Sequence, residues 1–130
     1  MDLQSVRNLK TAIEERRQQI EILSSAQISI SFVDGLPRAK AQGSRVEKIA
    51  SAIVDAEKEI AALVVELDKT AAALATEIFR LVEGIKRRRV LMLRYVGCLP
   101  FREIASEMAI SEARVFVLHK EGVQQFNSER

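Results

Sequence analysis

The chain has 130 residues, 48% of them hydrophobic but only 5% aromatic, with no tryptophan, and carries 20 Lys/Arg against 18 Asp/Glu. Its single cysteine, Cys98, excludes an intrachain disulfide and a thiolate zinc knuckle, and its single histidine, His119, excludes a multi-histidine metal site. No run of about 18 apolar residues is present to span a bilayer, and the start, Met1-Asp-Leu-Gln-Ser-Val-Arg, lacks the basic beginning and apolar centre of a signal peptide. These features point to a soluble cytoplasmic protein built of helices that pack through aliphatic side chains.

Val6, Leu9, Ile13, Ile20 and Leu23 recur at spacings of three and four or their sums, which predicts an amphipathic helix over residues 2–24. Residues 25–43 break the pattern. Ser29-Ile-Ser-Phe alternates as a short extended piece would, and Asp34-Gly-Leu-Pro-Arg is turn chemistry. Ser44-Arg-Val-Glu then reads as a capping box that opens a second helix. Val46, Ile49, Ile53, Ala56, Ile60, Leu63 and Leu67 form its stripe, continued by Ala71, Leu74, Ile78, Leu81 and Ile85 after one extra step of four. That extra step is a stutter, which locally unwinds a coiled coil. A helix from Ser44 to about Glu83 would be roughly 60 Å long, so its stripe requires partner helices. Residues 2–24, folded back as a hairpin, cover about half of it. The C-terminal module or a second chain must cover the rest, and a homo-oligomer, with a dimer favoured, is the expectation.

Gly84 is expected to end the long helix, since glycine costs about 1 kcal/mol inside one. The charge also changes here. Residues 1–85 hold 11 Lys/Arg against 13 Asp/Glu, whereas residues 86–130 hold 9 against 5; a basic segment suits phosphate. Lys86 to Tyr95 predicts a further helix, opened by Lys86-Arg-Arg-Arg. That run, Arg87 and Arg88 included, is either a grip on phosphates or a solvated helix face. Gly97-Cys-Leu-Pro breaks the chain again, and Pro100 suits a first helical position.

Phe101 to His119 then reads as two short helices joined by a tight turn. Ile104, Ala105 and Met108 share a face of the first, Ile110 sits in the turn, and Val115 and Leu118 share a face of the second. Ser111 stands at the N-cap of the second helix. This is the layout of a helix-turn-helix, whose second helix is shaped to enter a DNA major groove. His119, alone near an apolar face, is expected to be packed and hydrogen-bonded, and Cys98 to be a small packing residue. There is no glycine-rich phosphate loop and no sequence sign of a Cys–His pair, so neither an enzyme nor a cofactor is expected.

Leu93-Arg-Tyr-Val, Arg102-Glu-Ile-Ala, Met108, Ser111, Val115 and Leu118-His at these spacings resemble region four of sigma-70-type factors. More closely, they resemble the phage late transcriptional regulators of the RinA/ArpU type. The likeness covers residues 86–123, and Gly35-Leu-Pro-Arg is a weaker echo of a turn in that group. It implies an all-helical fold and promoter binding that switches on phage structural genes. It also implies a recognition helix that starts after Ser111 and buries Val115 and Leu118. Glu112, Ala113, Arg114, Phe116, Val117 and Lys120 would then meet the groove, with Arg102 near the phosphates. The sequence departs from the pattern in places. Ala109 stands where the left-handed turn prefers glycine, at a cost of about 1 kcal/mol. Cys98 stands where glycine is usual, with Gly97 beside it to serve. Phe116 and Val117 replace polar readers, and either touch thymine methyls or fill a protein seam.

The expectation is therefore an all-α protein: a helical hairpin or coiled-coil arm at residues 1–83 with its connector at 25–43, then a sigma region-four-like helix-turn-helix at 84–126. It would act as a sequence-specific DNA-binding transcriptional regulator of phage or prophage origin. Arg114 and Glu112 would lie at base edges, Arg102 and Lys120 on phosphates, and Ser111, Phe116 and Val117 would complete the surface. Double-stranded DNA and RNA polymerase are the expected partners. Two alternatives stand beside it: a protein-interaction or assembly module that keeps the helix-turn-helix as scaffold, and a small terminase-like DNA packaging adaptor.

Overall fold

The computed structural model describes residues 1–32 and 39–129, with side chains described outside 29–44. Every regular element among these residues is helical: α1 (Ser5–Phe32), α2 (Ala39–Leu81), α3 (Ile85–Leu91) running on into a π-helical stretch (Met92–Val96), α4 (Phe101–Met108) and α5 (Glu112–Glu129). The all-α expectation holds. No described helix is long and apolar enough to cross a membrane.

The helix bounds differ from the sequence expectation in an instructive way. α1 runs eight residues beyond Ser24, through the segment that alternates Ile28, Ile30 and Phe32. An alternation that short does not distinguish strand from helix. Nothing before Gly35 removes a donor or loosens the backbone, so the helix simply continues. α2 begins at Ala39, so Ser44 and Glu47 lie inside the helix rather than at its cap. Gly43 is likewise internal, tolerated at roughly 1 kcal/mol. The turn chemistry at 34–38 lies outside the described residues. α2 is one helix through the stutter at Leu67–Ala71 and ends at Leu81. Gly84 follows in the loop with φ 96°, a conformation that glycine takes without Cβ strain.

The chain forms two compact units. One is Leu9–Glu66, the other Met1–Asn8 together with Leu67–Arg130. The second is larger than the helix-turn-helix segment alone, because the start of α1 and the end of α2 belong to it. Within Leu9–Glu66, Ile13 and Ala56 are buried, Arg16 pairs with Glu59 across the hairpin, and Ile49, Ile53, Ile60 and Leu63 are half-buried. The stripe read from the sequence is thus the packed face of α2 up to Leu81; Ile85, its last expected member, lies beyond α2 at the start of α3 and is 82% exposed. Ile22, Ile28, Val54 and Val65 remain outside, at 70%, 62%, 46% and 55% exposure.

The other unit has two apolar clusters. In the first, Leu3, which precedes α1, Val6 of α1, and Leu74, Ile78 and Leu81 of α2 pack with Val82, Leu91, Tyr95 and Phe126. The second joins Val90, Ile104, Ala105, Val115 and Leu118, with Leu93, Leu99, Phe101, Met108 and Ile110 at its edge. Leu91 and Val90 are neighbours on α3 that point into different clusters, so α3 ties the two together. Burying a side chain of this size contributes about 1.5–3 kcal/mol, which makes α3 the keystone of the unit despite its seven residues.

Candidate nucleic-acid interface

The helix-turn-helix is set by local backbone chemistry. α4 starts after Pro100, which is the N-cap residue rather than the first helical one; its carbonyl accepts from Ile104 N–H at 3.1 Å. α4 ends in a left-handed Ala109 at φ 54°, where Ala109 N–H donates to Ser106 O (3.3 Å) and Ile110 N–H to Ala105 O (3.1 Å). These two bonds form a Schellman motif, normally closed by glycine. Ile110 then packs at the edge of the second cluster, and Ser111 caps α5, its Oγ accepting from Arg114 N–H at 3.1 Å. The turn is therefore the one the sequence predicts, built on alanine.

Upstream, the expected helix over 86–95 is not uniform. Gly97 N–H reaches back to Met92 O at 2.9 Å, the wider π spacing, and Leu99 N–H donates to Leu93 O at 3.0 Å. The left-handed residue here is Cys98 (φ 57°) and not Gly97, which sits at φ −78°. Cys98 accepts this strain because its side chain packs against the first cluster.

That widened turn builds an aromatic cluster. Tyr95 is buried, and its Oη lies 2.6 Å from Nε2 of His119 on α5, the rings stacked with centroids 5.6 Å apart. Burial, and then the Arg94 charge, hold the His119 pKa below its ordinary value, which favours the neutral ring as acceptor of the tyrosine O–H. Burial raises the Tyr95 pKa, which keeps that donor protonated. Arg94 lies 4.3 Å over the Phe101 ring and donates from Nη1 to Leu99 O at 3.0 Å. Phe101 meets His119 edge-on at 5.0 Å and Phe116 at 4.7 Å. His119 is thus packed and hydrogen-bonded, as expected. Neither its partner nor the Arg94–Phe101 contact was visible in the sequence, where the residues lie many positions apart.

α5 places its residues in two opposed sets. Val115, Leu118, Gly122 and Phe126 are buried. At 3.6 residues per turn, Ala113, Phe116, Val117 and Lys120 lie opposite them, with Glu112 and Arg114 on the two flanks. All six are exposed, as are Ser111 and, on α4, Arg102. The structure therefore brings Arg102, Ser111, Glu112, Arg114, Phe116, Val117 and Lys120 to the outer surface of one helix pair. Between the two helix starts lies a cleft of about 370 Å³ lined by Pro100, Phe101, Arg102, Glu103, Glu112 and Phe116.

Arg87 and Arg88 are used differently. Arg87 Nε bonds the Glu121 carboxylate at 2.9 Å and so clips α3 to α5. Arg88 Nε bonds Val82 O at 2.6 Å, and its guanidinium lies 5.5 Å over Phe79. Both side chains are half-buried within the protein, while Lys86 and Arg89 of the same run are exposed. On this side Phe79, Ile85, Arg88, Arg89 and Met92 line an almost wholly apolar cleft of about 330 Å³. Among the described residues no group of three or more His, Cys, Asp or Glu side chains is arranged to hold a metal ion.

Neither the curated proteins nor the solved structures include a significant match to the chain. A family model does match: residues 85–125 fit Sigma-70, region 4. That span begins with α3, takes in the π-helical stretch, α4 and the turn, and stops within α5. Residues 85–125 are a sigma-70 region 4-like helix-turn-helix, a domain type whose role is DNA binding and regulation.

Proposed function

We propose that the protein is a sequence-specific DNA-binding transcriptional regulator of phage or prophage origin, of the RinA/ArpU type that its sequence resembles. The observation that carries this reading is the outward face of α5. In a region 4-like domain it exposes Lys120 opposite a fully buried stripe, with Glu112 and Arg114 exposed on the two flanks. Inserted in a major groove, Arg114 donates to guanine O6 and N7, and Glu112 accepts from cytosine N4. Lys120 and Arg102 neutralise flanking phosphates, which fix the register without reading sequence.

Selection from a random duplex pool at about 50 and 200 mM salt tests this. Wild type should enrich one motif. Arg114→Ala should lower affinity by about 10- to 100-fold and relax one position, whereas Lys120→Ala should weaken all sequences alike and reduce the salt slope by about one. No motif, or a motif indifferent to both changes, defeats the reading.

Two features support partners beyond DNA. The apolar cleft at Phe79, Ile85 and Met92, edged by Arg88 and Arg89, suits a protein such as RNA polymerase. The exposed Ile22, Ile28, Val54 and Val65 suit a second copy of the chain. The packaging-adaptor alternative requires a large closed ring instead, so the mass in solution separates it from a dimeric regulator.

A further inference from the structure

Polar readers occupy only the flanks of α5; the middle of its outward face is apolar. Ala113, Phe116 and Val117 lie there with Lys120, and Phe116 and Val117 are 51% and 45% exposed. Building on the DNA-binding reading above, we propose that Phe116 and Val117 read thymine through its 5-methyl group. The target would then carry thymine, or another pyrimidine methylated at C5, opposite the second turn of α5.

Three observations support this. First, Phe116 is fixed rather than loose. Its ring packs on Phe101 at 4.7 Å, and Phe101 is itself held by Arg94 at 4.3 Å and by the edge of His119 at 5.0 Å. The exposed half of the ring is a pre-positioned apolar knob, so little side-chain freedom is lost when it docks. Second, the charges around it match a duplex. Arg114 and Arg102 flank the apolar centre and Lys120 stands within it; of the two acids that line the cleft beside Phe116, Glu103 and Glu112, Glu112 has a base-edge partner in cytosine N4. Third, the thymine methyl is the one apolar group that base pairs present in the major groove. A Phe–Val pair at the centre of a groove-facing helix has no other base-edge partner there.

The test uses the motif selected above and replaces each of its thymines in turn with deoxyuridine, which removes only the methyl group. Equilibrium affinities are measured for wild type, Phe116→Ala, Phe116→Leu and Val117→Ala. At one or two positions deoxyuridine should weaken wild type by about fourfold per methyl. That penalty should vanish in the alanine variant of the residue that touches the methyl. Phe116→Leu, which keeps apolar bulk on Phe101, should retain it in part. If a motif is selected but no thymine position responds to deoxyuridine, methyl readout is overturned while the DNA-binding reading stands. If no motif is selected, both fall. A change of oligomeric state on Phe116→Ala or Val117→Ala, with the deoxyuridine penalties unaltered, overturns the proposal in favour of a protein seam.

Discussion

Gly122 lies in the middle of α5, where glycine costs about 1 kcal/mol relative to alanine, yet the structure explains its presence. A Cβ at this position would meet Leu91 Cγ at 3.1 Å, Cδ1 at 3.2 Å and Cδ2 at 3.4 Å. Leu91 is fully buried in the first cluster, so any shift presses it on packed neighbours. In Gly122→Ala the helix gain of about 1 kcal/mol therefore opposes an overpacking cost of about 1–3 kcal/mol. The net expectation is a loss of about 1 kcal/mol, or about 4 °C in Tm for a chain of this size. The variant is compared with wild type by urea and thermal denaturation, and again in a Leu91→Val background, where the missing carbon makes room. There Gly122→Ala should be neutral or stabilising, which appears as a coupling energy in the double-mutant cycle. A rise in Tm for Gly122→Ala in the wild-type background would refute the argument, because it would mean that α3 and α5 do not approach so closely. Arg87 and Glu121 clip the same two helices, so the spacing that holds α5 in its pose rests on this pair of contacts.

Other substitutions test the turn and the aromatic cluster. Ala109→Gly should stabilise the protein by about 0.5–1 kcal/mol, since the left-handed residue then carries no Cβ; thermal denaturation checks it. Ser111→Ala removes the cap on Arg114 N–H and should cost about 1 kcal/mol in the same assay. The His119 pKa is held below its unfolded value of about 6.5, so the unfolded state binds more protons and stability rises with pH in that window. Stability should thus fall as pH drops below about 6.5 and stay level just above it, and His119→Gln should remove this part of the fall. An unchanged pH profile in His119→Gln would count against the buried neutral ring. Tyr95→Phe leaves His119 Nε2 without its donor and should cost about 1 kcal/mol near neutral pH.

Much of this architecture was legible in the sequence because it depends on periodicity. The stripe from Val46 to Leu67, the buried faces around Ile104 and Val115, and the Ser111 cap are local patterns, and each sits in the structure as read. What escaped was set by competition or by distance. Three alternating apolar positions at 28–32 suggested an extended piece, but without glycine or proline the helix ran on. Ser44 and Glu47 carry the letters of a capping box, yet cap nothing, because the backbone was already helical at Ala39. Cys98, not Gly97, took the strained backbone, since its side chain had a core to join. The candidate surface was legible on α5, where exposure follows from helical phase. It was not legible on α3. Nothing local distinguishes Arg87 and Arg88 from Lys86 and Arg89; only the fold brings Glu121 and the Val82 carbonyl to the first two. Likewise Tyr95 and His119 stand 24 residues apart, and the π-helical turn that lets them meet has no sequence signature.

In the proposed complex α5 enters a major groove with Arg114 at a guanine. Methylation interference on the selected duplex examines this directly, because guanine N7 lies in the major groove and adenine N3 in the minor groove. Methylation of at least one guanine N7 should block wild-type binding, and this interference should disappear in Arg114→Ala. Interference confined to adenine N3, or a guanine pattern identical in wild type and Arg114→Ala, would contradict it.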